Sequence, residues 1–219
     1  MENILELQQI CKSFPKSNFI LDKLSFSLPY GAILGFVGEN GAGKTTTIGC
    51  ILNTVRKDSG MVKLFGKEMR DIDTDIREKI GVVYDGDNFP GFWTAKQLSQ
   101  VMEGIYTQWD NALFQKYLED FHLPVKQKIK NYSRGMTMKL AIAVALSHHP
   151  QLLILDEATS GLDPIMRDEM LDVFLEFVQE ESHSILLFHL QLKHQSENPV
   201  FGKQSYRRGL MQGTGFPCS

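Results

Sequence analysis

GAILGFVGENGAGKTTTIGCIL, residues 31–52, is the stretch on which the fold turns. Its first part, Gly31 to Gly38, is an apolar run bounded by glycine, the pattern of a short strand covered on both faces. From Gly43 to about Asn53 the pattern predicts a helix. Between them, Gly38, Gly43, Lys44 and Thr45 meet the spacing G-x-x-x-x-G-K-[ST]. Glycines at these places let successive backbone N–H groups point into one concavity, which binds an anion. The helix that follows adds the positive end of its dipole. Lys44 supplies a compact charge for outer phosphates, and the Thr45 hydroxyl suits Mg2+. The alternative is a glycine-rich turn with no ligand, but a strand before and a helix after favour phosphate binding.

Binding a phosphate is not hydrolysing it. Hydrolysis also needs a carboxylate for Mg2+, a group that positions water, and donors or positive charge at the γ-phosphate. QLLILDE, residues 151–157, offers the first two. Four apolar residues precede Asp156, which places it at the carboxyl end of a buried strand, where ligands sit in open parallel sheets. Asp156 is then expected to hold Mg2+, and Glu157 to act as base or to polarise the attacking water. An acidic pair at a strand end can also be a solvated cap.

Around these two stretches, ILELQQICKSF and FILDKLSFSLP read as two strands joined by a turn, and MVKLFG and KIGVVYD as two more. From Asp87 to about His149 the texture becomes helical. Thr94 to Gln97 resembles a capping box, and DNALFQKYLEDF has helical apolar spacing. SRGMTMKLAIAVALSHH predicts a further helix. Asp163-Pro164 predicts the start of another, reaching about Glu181, and SILLFHL is the last clear strand. The expectation is an α/β P-loop core, a mostly parallel sheet with N-terminal antiparallel strands, spanning 1–86 and 150–190. A helical subdomain at 87–149 is inserted in it. Residues 191–219 are polar, without period, and read as an irregular, truncated or frame-altered tail.

Composition sets outer bounds. The chain has 219 residues, 42% hydrophobic, with formal net charge −3. That suits one cored domain and offers no global basic field for nucleic acid. Its longest apolar run falls well short of a membrane span. The acidic, polar N-terminal stretch lacks a secretory pattern. Cys11, Cys50 and Cys218 are widely spaced, as free thiols in a reducing compartment would be. The expected place is the cytoplasm.

GENGAGKTT, YSRGM and LLILDEATSGLDP, in that order, resemble the nucleotide-binding subunits of ABC transporters over about residues 4–190. The texture is most similar to bacterial ATPases that pair with ABC-2-type permeases. The resemblance implies an ATP-hydrolysing subunit that dimerises, with itself or a homologue, around two Mg2+-ATP. It also implies an integral-membrane permease as partner, and so a peripheral position on the inner face of the cell membrane. It assigns phosphate binding to Gly38, Glu39, Asn40, Gly41, Ala42, Gly43, Lys44, Thr45 and Thr46. Phe14 lies where an aromatic stacks on adenine; otherwise it is an edge-strand core residue. Ser133, Arg134 and Gly135 stand for the signature Ser-Gly-Gly, which reaches the γ-phosphate held by the other subunit. Ser160, Gly161, Leu162 and Asp163 resemble the loop that crosses the dimer interface.

Departures from the pattern fall at particular places. Asp85 stands where the family has a glutamine that contacts water and Mg2+; the resemblance implies that it can still contact Mg2+, directly or through water, while adding negative charge beside the phosphates. Arg134 and Met136 depart from the commonest signature. His189 corresponds to the histidine that closes the site, but Phe188 replaces a small polar residue before it. The aromatic group Phe89, Phe92 and Trp93 is either a permease-facing patch or part of a local core. Two other functions are compatible with parts of the pattern. A non-transport ABC ATPase acting on nucleic acid is disfavoured by the single cassette and lack of a basic patch. A subunit that binds ATP but cycles poorly is the other.

Overall fold

The opening of the chain alternates as a half-covered ribbon should, and it forms one. β1 (Asn3–Ser13) and β2 (Ile20–Pro29) pair antiparallel. They are followed by β3 (Ile33–Gly38), α1 (Lys44–Ile51), β4 (Ser59–Leu64), β5 (Lys67–Glu68), α2 (Thr74–Glu78) and β6 (Ile80–Val83). A helical stretch contains α3 (Ala95–Ile105), α4 (Asn111–Asp120) and α5 (Arg134–Leu146). Then come β7 (Leu152–Asp156), α6 (Pro164–Phe177), β8 (Ser184–Leu190) and β9 (Met211–Gln212). This computed structural model describes residues 2–15, 19–38, 41–68, 74–86, 88–157, 162–190 and 211–212, the last two and 189–190 by backbone alone.

The strands form two sheets. One is antiparallel, in the order β2-β1-β4-β5, and the other parallel, in the order β6-β7-β8-β3-β9. MVKLFG therefore does not extend the parallel sheet: β4 pairs with β1, because a period-two pattern fixes a strand's face but not its neighbour. β9 lies in the stretch expected to be irregular, and its backbone pairs with Leu34 and Gly35. The rest of that stretch lies outside the described residues.

The parallel strands β3, β6, β7 and β8 are mostly apolar because both faces are covered. On one face Leu153, Leu155 and Ile185 pack with α3, α4, α5 and α6. On the other, Leu152, Ile154, Leu186 and Phe188 pack with α1 and the antiparallel sheet. Phe188, the departure before His189, is fully buried and stacks on Phe36 at 5.3 Å, while Phe36 meets Phe26 at 4.4 Å. An aromatic column thus joins the two sheets where a small polar residue would leave a gap.

Local signals set most helix ends. Thr94 and Gln97 make the reciprocal capping box. α1 ends in a Schellman arrangement, with Asn53 left-handed (φ 55°) and the N–H groups of Asn53 and Thr54 donating to Cys50 and Gly49 carbonyls. α6 stops at Phe177, short of Glu181: the His183 ring stacks on Phe177 at 4.5 Å, and its Nδ1 lies 3.1 Å from the Phe177 carbonyl. The aromatic group at 89–93 divides. Phe89 and Trp93 pack on the core, and Phe92 is 67% exposed. Among the described residues no helix is long and apolar enough to cross a membrane.

Candidate functional site

β3 and β7 flank β8, and described residues that follow each of them line one space at the carboxyl edge of the sheet. There a cavity of about 650 Å³ is lined by Phe14, Phe19, Gly41, Gly43, Lys44, Thr45, Thr46, Asp85, Asp156 and Glu157. The glycine-rich loop and the acidic strand end therefore share one space, as their separate chemistry requires.

The loop's conformation depends on glycine. Gly41 and Gly43 have φ of 83° and 93°, in the left-handed region. A Cβ on Gly43 would also meet the Phe19 ring at 2.7 Å. Gly43, the N-cap of α1, makes no side-chain capping hydrogen bond. Lys44 is 6% exposed; its Nζ donates to the Gly38 carbonyl at 2.9 Å and lies 3.3 Å from a Glu157 carboxylate oxygen. The Thr47 hydroxyl donates back to the Gly43 carbonyl at 2.9 Å, which ties the first turn.

Opposite the loop, Asp156 is 8% exposed and accepts from the Thr45 hydroxyl at 3.4 Å. Burial pushes its carboxyl above the ordinary value and negative Glu157 pushes it further, while the Thr45 hydrogen bond and the Lys44 charge oppose both. Glu157 leaves the strand in a left-handed conformation (φ 53°), and its N–H donates to the Phe188 carbonyl at 2.9 Å. A left-handed glutamate is costly, and such strain gathers where a side chain must be aimed. Thr45 and Asp156 present hard oxygen donors only, in a cavity with three carboxylates and one lysine. That donor set and charge fit Mg2+.

Phe14 reaches the cavity from the end of β1, with Lys12 Nζ 5.2 Å from its ring centroid. Ser133, Arg134, Gly135 and Asp163 do not line the cavity. Ser133 caps α5, its hydroxyl accepting from the Met136 N–H at 3.2 Å. Asp163 caps α6 through the Met166 N–H at 2.9 Å. Gly135 faces Met166 so closely that a Cβ there would overlap the Met166 methyl. Glu39, Asn40, Ser160 and Gly161 lie outside the described residues, as does the side chain of His189; the His189 backbone is in register with Val37.

Two features of the site escaped the sequence reading. Phe19 lines the cavity and packs on Gly43, and its only sequence signal is an aromatic at the head of a strand. Asp85 and Arg134, two separate departures, form an ion pair of 2.8 Å.

The profile of the family described as ABC transporter matches residues 21–160. The chain belongs to that family. The bacitracin transport ATP-binding protein BcrA of Bacillus licheniformis is 33% identical over 192 residues, covering 85% of this chain and 61% of the relative. The methionine import ATP-binding protein MetN 1 of Listeria monocytogenes is 34% identical over 205 residues, covering 86% and 60%. The chain thus spans about three-fifths of the length of these curated relatives. Among solved structures, an ATP-binding subunit of an ABC transporter superposes with TM-score 0.75 at 23% identity, covering 85% of this chain and 79% of the other. A dimeric ATP-binding cassette in a post-hydrolysis state with ADP and Pi gives 0.74 at 20%, covering 84% and 87%. At these identities the ABC structures speak for the fold, which they share with this chain.

Proposed function

We propose that this chain is the ATP-binding and ATP-hydrolysing subunit of an ABC transporter. It works as a dimer around two Mg2+-ATP and drives an integral-membrane permease of the ABC-2 type. The observation that carries the reading is one cavity holding both Lys44 with Thr45 and Asp156 with Glu157. The place is the inner face of the cell membrane, reached through the permease, since no described helix spans a bilayer. The transport ATP-binding relatives support the partner, and the dimeric cassette of the same fold supports the dimer.

In this reading the first-turn N–H groups of α1 and the Lys44 ammonium bind the β- and γ-phosphates, and Lys44 exchanges its contact with the Gly38 carbonyl for a phosphate oxygen. Phe14 stacks on the adenine. The Thr45 hydroxyl and Asp156 hold Mg2+, which neutralises phosphate charge. Asp85 is a candidate for a third contact, through its oxygen not bound to Arg134. Glu157 takes a proton from, or orients, the attacking water, and its left-handed turn aims it beside Lys44. His189 is assigned to the γ-phosphate from the end of β8. Ser133 and Gly135 at the start of α5, with Asp163 at the start of α6, sit apart from this cavity. They serve the nucleotide of the partner cassette.

The test is Mg2+-dependent ATP hydrolysis against the chain's own concentration. A rate that rises faster than linearly and falls at least about a hundredfold in Glu157→Gln, with ATP still bound, supports the reading. ATP binding without turnover at any concentration refutes the hydrolytic half and leaves a nucleotide-binding subunit.

A further inference from the structure

Asp85 and Arg134 are each misplaced when taken alone. Asp85 lines the cavity with Asp156 and Glu157, so among the described residues a space for a polyphosphate carries three carboxylates against one lysine. Arg134 is the first residue of α5. A cation there faces the positive end of the helix dipole, and no acidic residue in the first turn offsets it. Together the two faults cancel. Arg134 Nη2 donates to Asp85 Oδ1 at 2.8 Å across 49 residues of sequence. The guanidinium is 56% exposed and the carboxylate 36%, so the pair sits at the rim of the cavity. Local rules broken at two places and repaired by one contact point to a role for the contact.

We propose that Arg134 acts on the nucleotide cavity through Asp85: it neutralises this carboxylate at the cavity rim, and so makes the acidic cavity able to accept a polyphosphate. Arg134 is then a positioning residue of its own chain's site. This rests on the reading that the cavity binds Mg2+-ATP, and it differs from a direct signature contact to a partner's phosphate. Asp156 has Thr45 beside it and Glu157 has Lys44, and Arg134 does the same office for Asp85. The effect is electrostatic, at the rim, and weakens with salt.

The experiment is a calorimetric titration of the full chain with Mg2+ and a non-hydrolysable ATP analogue, at protein concentrations where the chain is monomeric. Five chains are compared: wild type, Arg134→Gln, Arg134→Lys, Asp85→Asn and Arg134→Gln with Asp85→Asn. Arg134→Gln is expected to raise Kd about fivefold, from one unscreened charge at the cavity rim. Arg134→Lys keeps Kd within about twofold of wild type, and Arg134→Gln has no further effect in the Asp85→Asn background, so the double variant matches Asp85→Asn. The Arg134→Gln loss shrinks as salt is raised. A double variant weaker than Asp85→Asn overturns the proposal, because Arg134 then touches phosphate itself. Unchanged Kd in Arg134→Gln overturns it as well, leaving a surface ion pair. An exposed pair adds little to folding, so the variants remain folded. Failure of the wild-type chain to bind the analogue overturns the nucleotide reading itself, and this inference with it.

Discussion

The N-termini of α1 and α5 look alike in sequence and differ in structure. Both follow a glycine- or serine-bearing loop, and both carry a cation at the first helical position. At α1 the cap is Gly43, with no side-chain bond to its own helix, and Lys44 is drawn inward against Gly38 and Glu157. At α5 the cap is Ser133, whose hydroxyl already satisfies the Met136 N–H, and Arg134 lies outward on Asp85. The first end is a nest completed by groups of its own chain. At the second the Ser133 hydroxyl fills the Met136 N–H, and Gly135 leaves its backbone flush with Met166. A helix N-terminus is an anion site only to the extent that its donors are left unfilled.

The strongest attempt to break this contrast is Lys44→Ala. The buried ammonium lies beside Glu157, and in the proposed reading it turns to the phosphates of ATP, so ATP affinity should fall about a hundredfold. Arg134→Ala should cost far less. Equal losses in the two variants, measured by nucleotide titration, would erase the distinction.

A smaller effect is expected at Gly135→Ala. The new methyl overlaps Met166, whose flexible end can move, so unfolding stability should drop by about 1–2 kcal/mol. Combining it with Met166→Ala should show a favourable coupling of about 1 kcal/mol in a double-mutant cycle by urea denaturation. Monomeric ATP binding should not change. A lowered affinity in the single variant would mean that α5 reaches its own chain's cavity after all.

What the sequence made legible was local. The α1 nest is spelled within eight residues, and the strand that carries Asp156 announces itself by an unbroken apolar run, because both faces are covered. The capping of α3 and α6 was equally plain in Thr94, Gln97 and Asp163. The partition into two sheets was not, since nothing in MVKLFG says that its neighbour is β1. Nor was the Asp85–Arg134 pair, whose members are 49 residues apart and meet only once α5 has packed on β6. Phe188 stood out in the sequence as a departure before His189, and its packing was not legible there, because its stacking partner Phe36 lies on another strand.

Ser133→Ala sharpens the comparison further. Losing the cap should cost about 1 kcal/mol, read as a lower melting temperature. Under the dimeric reading turnover should fall more than nucleotide affinity, since Ser133 stands away from its own cavity. A fall in monomer affinity instead would place the two helix ends in one site.

The least effect is expected at the far end of α5, where the helix is anchored and not exposed. His148 is buried, stacks on Tyr106 at 4.0 Å, and lies 3.2 Å from the Ile80 carbonyl through Nε2 and 3.4 Å from the Val144 carbonyl through Nδ1. Burial, more than anything else, lowers its pKa below the ordinary 6.5; the two carbonyls and Glu78 oppose that shift, and His149 adds to it. The folded chain therefore holds His148 neutral at a pH where the unfolded chain takes up a proton. Its contribution to stability is whole above pH 6.5 and is lost as pH falls from there toward the folded value. Urea midpoints measured from pH 7.5 down to about 5 should decline in wild type and flatten in His148→Gln, which cannot charge. Among the described residues no histidine lines the cavity at the α1 end, so any parallel decline in nucleotide affinity of the monomer over that range should be smaller than the decline in stability. If affinity falls as steeply as stability, the anchoring of α5 and the integrity of the α1 nest are one cooperative unit, and the contrast between the two helix ends is one of accessibility alone.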